Sequence, residues 1–229
     1  MVYYSFIVQL DWPIINERKI LTEVSAEGMD AAWSDGWRHF GKDFYRDSIS
    51  LMNGQLNRFT PLRLVLDQWS PSKSERRTLR RGEDLVCQWT EPSIRKEERK
   101  LFQKHKKRFT ENVPDRLENF LGDTFKQYPC ECRQLKVYEI LDGTQHLIAT
   151  SYLDIGKDGV SSVYAIFNPD YEHLRLGIFT MLVEMQYAKS LGKKYYYSGY
   201  ATIEPSNYDY KKKFRPQEFY NWYNEWLSI

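Results

Sequence analysis

Six hydroxyl side chains sit where a chain usually buries carbon. Residues 160–167 (VSSVYAIF) and 194–201 (KYYYSGYA) are β-branched and aromatic enough to be strands, yet they carry Ser161, Ser162, Tyr164, Tyr197, Ser198 and Tyr200. Such hydroxyls either satisfy neighbouring backbone groups or line a cleft that holds a polar substrate. Strict alternation sends Ser162 and Tyr164 to one face and Ser161 and Val163 to the other. No Gly-x-Ser-x-Gly elbow and no Cys/His pair offers a covalent nucleophile. By strand position the nearest carboxylates are Asp154 and Asp170. Asp154 is suited to take a proton or pair with a cation, and Asp170 to cap the helix that follows.

A second constellation is cationic. In SPSKSERRTLRRG, Lys73, Arg76, Arg77 and Arg80 fall at i, i+3, i+4 and i+7, and Arg81 lies beside that stripe. A single-sign face is either a solvated surface or a track for phosphates, which reward several cations held in line. Lys104, Lys106, Lys107 and Arg108 close a later helix, where the helix dipole alone favours cations and nucleic-acid contact is the equal alternative.

The elements that must carry these groups follow from periodicity. Residues 2–10, 37–45, 62–69 and 84–90 read as strands, and Asn53-Gly54 marks a hairpin tip. Ser25 caps a short helix ended by Gly36. Ser70, with Pro71 at the first helical position, opens the basic helix over 71–81, which Gly82 stops. Helices are predicted over 94–110 and from Pro114 through Phe125. Asp-Gly turns at 142–143 and 158–159 join strands over 135–141, 146–155 and 160–167. Leu174, Ile178, Met181, Leu182 and Met185 then share a helix face closed by Gly192, before a last strand at 194–201. A strand, helix and strand of this length place the two strands parallel.

From residue 84 the order is β-α-α-β-β-β-α-β, that of the GNAT-like acyltransferase fold. The expectation is therefore an α+β protein: a mixed sheet with splayed parallel strands and helices on both faces, plus a small N-terminal α+β region. The boundary is set between residues 1–82 and 83–229.

Composition narrows the class. A length of 229 residues suffices for one large core or two small ones, and a net charge of +2 says little about partners. Three cysteines, Cys87, Cys130 and Cys132, with no secretory leader, point to a reducing cytoplasm. Cys130-Glu131-Cys132 lacks a zinc spacing and the four histidines are scattered, so no metal is expected. No apolar run approaches the roughly 18 residues of a membrane span.

Four stretches resemble the aminoacyl-tRNA–protein transferases of the arginyl and bacterial aspartate/glutamate leucyl type. They are GWRHFGKDFYR (36–46), PLRL with SPSKSERRTLRRGEDL (61–85), SSVYAIFNPDYEHLRLGIF (161–179) and YYYSGYATIEPSNYDYKKKFRP (195–216). The resemblance implies transfer of an amino acid from charged tRNA to the α-amino group of a polypeptide, typically one with an acidic first residue, so marking it for degradation. It implies no cofactor beyond aminoacyl-tRNA as co-substrate. The cysteines by which some members hold a metal or iron–sulfur cluster are absent here, where the sequence reads SISLMNGQL.

Under that resemblance the chemistry is aminolysis of an ester. Alignment of amine and ester supplies on the order of 7–11 kcal/mol, and a donor aimed at the oxyanion roughly 3–4 kcal/mol more. Ser162, Tyr164, Asp154 and Tyr197 are then the expected catalytic groups. Ser161, Asp170, Gly199, Tyr200, Tyr210 and Lys211 are expected to bind substrate, with Gly199 admitting close approach of ligand to backbone. Lys73, Arg76, Arg77, Arg80 and Arg81 are expected to hold the tRNA. Arginine is the favoured donor residue and leucine the other. A CoA-dependent N-acetyltransferase, or a tRNA-binding relative without catalysis, is the alternative on the same fold.

Overall fold

The computed structural model describes residues 12–52, 54–110, 113–206 and 209–229. The strand expected over residues 2–10 lies outside them. Three short antiparallel strands, β1 (Asn16–Ile20), β2 (Arg38–Phe40) and β3 (Asp43–Asp47), form a small sheet beside helix α1 (Ala26–Ser34). Ser25 caps α1 by accepting from Gly28 N, as its sequence suggests. The single strand expected over 37–45 is instead a hairpin, because Gly41 takes φ +54 and Phe40 pairs with Asp43. That turn packs backbone to backbone against Gly122, where a Cβ on Gly41 would come within 3.2 Å of the Gly122 Cα.

The large sheet is nine-stranded and mixed. Its members are β4 (Ile49–Met52), β5 (Gln55–Val65), β6 (Val86–Thr90), β7 (Cys132–Leu141), β8 (Thr144–Ile155), β9 (Gly159–Phe167), β10 (Tyr195–Thr202), β11 (Gln217–Tyr220) and β12 (Trp226–Ser228). The order is β12-β11-β5-β10-β9-β8-β7-β6, with β4 hairpinned onto β5. Among the described residues only β9 and β10 pair in parallel, as the strand–helix–strand pattern requires. β5, from early in the chain, lies between β10 and β11 in this sheet.

Helix α2 (Lys73–Arg81) begins two residues later than its sequence suggests. Ser72 is the cap, not Ser70, because Glu75 at the third helical position closes a capping box with it. Helix α3 (Lys96–His105) carries Leu101 and Phe102 inward. The helix expected from Pro114 to Phe125 shrinks to α4 (Glu118–Leu121), which Gly122 ends at φ +75. Helix α5 (Leu176–Ser190) is the crossover between β9 and β10, and Gly192 beyond it takes φ +71. Tyr152 packs with Leu101 and Leu117 of the α3–α4 side, while its neighbour Leu153 packs with Leu182 and Met185 of α5. Helices thus cover both faces of the sheet. Among the described residues no helix is long and apolar enough to cross a membrane.

Asp30 of α1 ties the small subassembly to the start of β9. Its carboxylate accepts from Asp158 N at 2.7 Å and Gly159 N at 3.0 Å. Replacing it strands two backbone donors at the tip of the β8–β9 turn. Asp30→Ala is expected to lower the unfolding free energy by about 1–3 kcal/mol, read as a shifted urea midpoint with an unchanged slope.

Candidate active site

β9 and β10 pair over three positions, Gly159–Ser161 against Tyr195–Tyr197, and then part. Each strand is bulged at that level. β9 gains a residue against β8, since Leu153 pairs with Ser162 but Tyr152 with Tyr164. β10 gains one against β5 between Tyr197 and Gly199, with Gly199 at φ +87. A bulge bends the strand and re-aims its side chains.

The first bulge overturns the expected alternation. Val160 faces α5, and the Ser162 hydroxyl lies toward Glu184 on that helix, near enough to favour its carboxylate. Tyr164, two residues on, faces the other way and stacks on Phe120 at 3.8 Å. Ser162 and Tyr164 therefore do not share a wall, because the extra residue moves everything after it to the opposite face.

Beside the C-terminal end of β9 and the N-terminus of α5 is a cavity of about 510 Å³, lined by Phe167, Arg108, Arg175, Leu176, Ile178 and Tyr210 among others. Arg175 stands at the N-terminus of α5 in the left-handed conformation and approaches Thr78 of α2 at 3.5 Å. Packing holds α2 there: a Cβ on Gly82 would come within 2.5 Å of the Phe179 ring. Lys73, Arg76, Arg77, Arg80 and Arg81 are all exposed, and α2 reaches the cavity lining through the Thr78–Arg175 contact. Asp170 is exposed and pairs with Lys104 at 3.5 Å. The turn it was expected to cap is capped by Asn168, whose Oδ1 accepts from Asp170 N.

At the base of the gap lies a carboxylate that sequence reasoning passed over. Glu184 is wholly buried on α5, and the Tyr196 hydroxyl donates to its Oε2 at 2.5 Å. Burial pushes its acid up to about 7, against the hydroxyls of Ser151, Tyr196 and Ser162. Its groups of influence are hydroxyls, with no cation among them. The available signal was a charge inside an apolar face, three residues after Met181 and four before Ala188.

The matched model for "Arginine-tRNA-protein transferase, C terminus" spans residues 97–221, more than half of the chain. The chain belongs to the arginine-tRNA–protein transferase family. It is 29% identical over 206 residues to an aspartate/glutamate leucyltransferase of Leptospira interrogans, covering 86% of this chain and 75% of the relative. It is 30% identical over 215 residues to that of Azorhizobium caulinodans, covering 88% and 85%. It is accordingly an aminoacyltransferase. Among solved structures, FemX superposes with a TM-score of 0.51 at 10% identity over 84% of this chain and 65% of FemX, a likeness of fold alone.

The remaining site residues of this transferase-family chain lie on the face away from α5. Asp154 is fully buried with both oxygens engaged, one by His39 Nε2 at 2.7 Å and one by the Tyr128 hydroxyl at 3.0 Å. The other ring nitrogen of His39 meets Gly41 O at 2.7 Å, so both ring nitrogens are engaged within the fold. Asp154 thus pins β2 to β8 and has no oxygen turned to the gap. The fold also draws together His39, Cys130 and Asp154, which look scattered in sequence, with ligand atoms within 4.8 Å. Their nitrogen and oxygen sit 2.7 Å apart, closer than the ~3.3 Å that tetrahedral zinc bonds of 2.0 Å would set. The donor set is therefore closed by its own hydrogen bonds and does not fit an ion as it stands.

Ser161 is buried opposite Asp154 in register and pairs with Tyr197. Tyr197 packs against Trp33 and Trp226, and Tyr200 donates its hydroxyl to Gly36 O at 2.7 Å. Arg38 lies across both rings, 5.0 Å from Tyr197 and 5.8 Å from Tyr200. Lys211 donates to Tyr200 O at 3.3 Å, over Gly199, where a Cβ would meet its Nζ at 3.3 Å. Gly199 thus makes room for Lys211. Burial and the neighbouring Arg38 push the Lys211 ammonium down to about 8.

The sign of the Glu184 contribution follows from its raised acid, about 7 folded against 4.5 for a free glutamate. Stability from this group is present below pH 4.5 and is lost as pH rises to 7. Relative to Glu184→Gln, the wild type is expected to lose on the order of 3 kcal/mol across that window and none above it, measured by urea unfolding at stepped pH.

Proposed function

We propose that this chain transfers an amino acid from aminoacyl-tRNA to the α-amino group of a polypeptide, by direct aminolysis within a GNAT-like cleft. The splayed parallel pair, opening beside a helix whose exposed face is cationic, carries the reading. In it residues 83–229 supply the cleft, and residues 1–82 supply the phosphate-holding helix and β5. The acceptors begin with an acidic residue, as the names of the leucyltransferase relatives indicate for those proteins. The transferred residue is arginine or leucine, the two named by the family model and by the relatives. The reaction needs no metal or coenzyme, and its setting is the cytoplasm.

The α-amino group attacks the ester carbonyl, the C–N bond forms, and the C–O bond to the terminal ribose breaks. Ser162 stands where β9 leaves β10 and donates to the developing oxyanion. Glu184, reached through the Tyr196 hydroxyl, takes the proton that the amine must lose, a task suited to an acid near neutrality. Glu184 returns that proton to the ribose oxygen as the C–O bond breaks, which regenerates the carboxylate. Asp154, committed to His39 and Tyr128, keeps the β2–β8 junction in place. Tyr210, on the cavity wall, stacks the terminal base, and Arg108 and Arg175 meet the phosphates behind it.

The test is a donor-by-acceptor matrix of Arg-tRNA and Leu-tRNA against peptides differing in their first residue. Label transfer from at least one donor is expected, and none from either donor to any acceptor would end the proposal. Independently, replacing Arg76, Arg77 and Arg80 together by Ala is expected to weaken tRNA binding and to reduce its salt slope by roughly 2–3 units. An unchanged slope would remove α2 from the tRNA surface.

A further inference from the structure

The cations that close α3 are not matched by acids around them. Lys104, Lys107 and Arg108 are exposed, and among the described residues neither Lys107 nor Arg108 forms an ion pair. Lys104 reaches only Asp170, at 3.5 Å, with both side chains in solvent. Lys106 is folded back over the Phe102 ring and is not part of the surface considered. A helix dipole rewards cations near the last turn, and that would suffice if all of them simply faced water. Arg108 does not. Its guanidinium lies 4.3 Å over the Phe167 ring, and both residues line the cavity of about 510 Å³.

Helix α2 meets the same region by a different contact. The turn over Pro169–Leu174, which lends Pro169 and Glu172 to the cavity lining, touches Lys104 through Asp170. Three residues on, His173 O accepts from Arg81 Nη1 at 3.1 Å. Two basic elements distant in sequence thus converge on one turn. Directly after it stands Arg175, at φ +54 and ψ 45, a left-handed conformation that glycine adopts without cost and arginine does not. A strained residue kept on a cavity lining is a sign that its side chain is wanted there.

The two elements differ in depth. Arg108 is on the cavity wall, whereas α2 reaches the lining only through the Thr78–Arg175 contact. A tRNA whose end enters the cavity therefore puts its last, unpaired nucleotides against the α3 end and the duplex before them against α2.

We propose that Lys104, Lys107 and Arg108 hold the phosphates of the single-stranded 3′ end of the tRNA, while α2 holds the duplex stem behind it. This rests on the aminoacyl-transfer reading above and adds to it a division of the tRNA between two cationic elements. Phe167, Leu176 and Ile178 give the cavity the apolar wall that an unstacked base needs.

The experiment measures binding of the full chain to uncharged tRNA, either whole or trimmed of its single-stranded 3′ end, across a salt series. On whole tRNA, Lys104→Ala, Lys107→Ala and Arg108→Ala together are expected to weaken binding about 10-fold. They are also expected to lower the salt slope by roughly 2, from three single-strand contacts at about 0.7 each. On trimmed tRNA the same variant is expected to match the wild type. Replacing Arg76, Arg77 and Arg80 by Ala is expected to weaken both RNAs alike. Equal loss on whole and trimmed tRNA from the α3 variant, or loss on neither, overturns the division and leaves the transfer reading to its own label assay. A wild type that binds neither RNA overturns both. Arg175→Gly guards against misfolding, because it relieves the left-handed position. Its urea midpoint is expected to hold or rise while whole-tRNA binding weakens about threefold or more and trimmed-tRNA binding does not change. Whole-tRNA binding unaltered by Arg175→Gly overturns the entry of the 3′ end into this cavity.

Discussion

Two parallel strands that hydrogen-bond for three residues and then separate create a demand that the rest of the molecule answers. Every backbone N–H and C=O beyond Ser161 and Tyr197 on the facing edges loses its ladder partner inside a protein core, and such groups are rarely left bare. The chain absorbs this in part by bulging both strands at the same level, one against β8 and one against β5. The bulges keep the outer ladders intact while the inner edges open. They also rotate the following residues, so that Ser162 stays with α5 while Tyr164 joins the aromatic cluster around Phe120.

Charge is sorted by the same opening. On the α5 side lies a wholly buried carboxylate surrounded by hydroxyls, and on the other side lie a buried guanidinium and a partly buried ammonium among tyrosine rings. Neither set neutralises the other directly, because the sheet stands between them. The His39–Asp154 pair, by contrast, is complete in itself and holds the small N-terminal sheet against β8.

Much of this was legible in the sequence where local rules govern. The crossover helix, the parallel pair, the Asp142-Gly143 turn and the cationic stripe follow from periodicity and turn chemistry, and the structure agrees on each, whereas the second turn centres on Lys157-Asp158 with Gly159 already in β9. What escaped depends on nonlocal geometry. Bulges arise from register between strands, so the faces of Ser162 and Tyr164 could not be read from alternation alone. Asp154 is matched to His39 across 115 residues of sequence, and nothing near either position announces the other. Glu184 and Arg38 gave weak signals, a charge among apolar helix positions and a charge between Trp37 and His39 in a strand. Only the burial of their surroundings makes them notable.

The position of β5 has one further consequence. It is the shared neighbour of β10 and β11, and its other half carries β4. A chain shortened to begin at β6 would retain the family-matched segment but would lay open one edge of β10 and one edge of β11. Both would be rows of unpaired donors and acceptors, which other chains add to readily. The catalytic half is therefore not a detachable module. Its sheet is closed by a strand made long before the cleft itself leaves the ribosome, so the early chain serves as a template on which β10 and β11 later assemble.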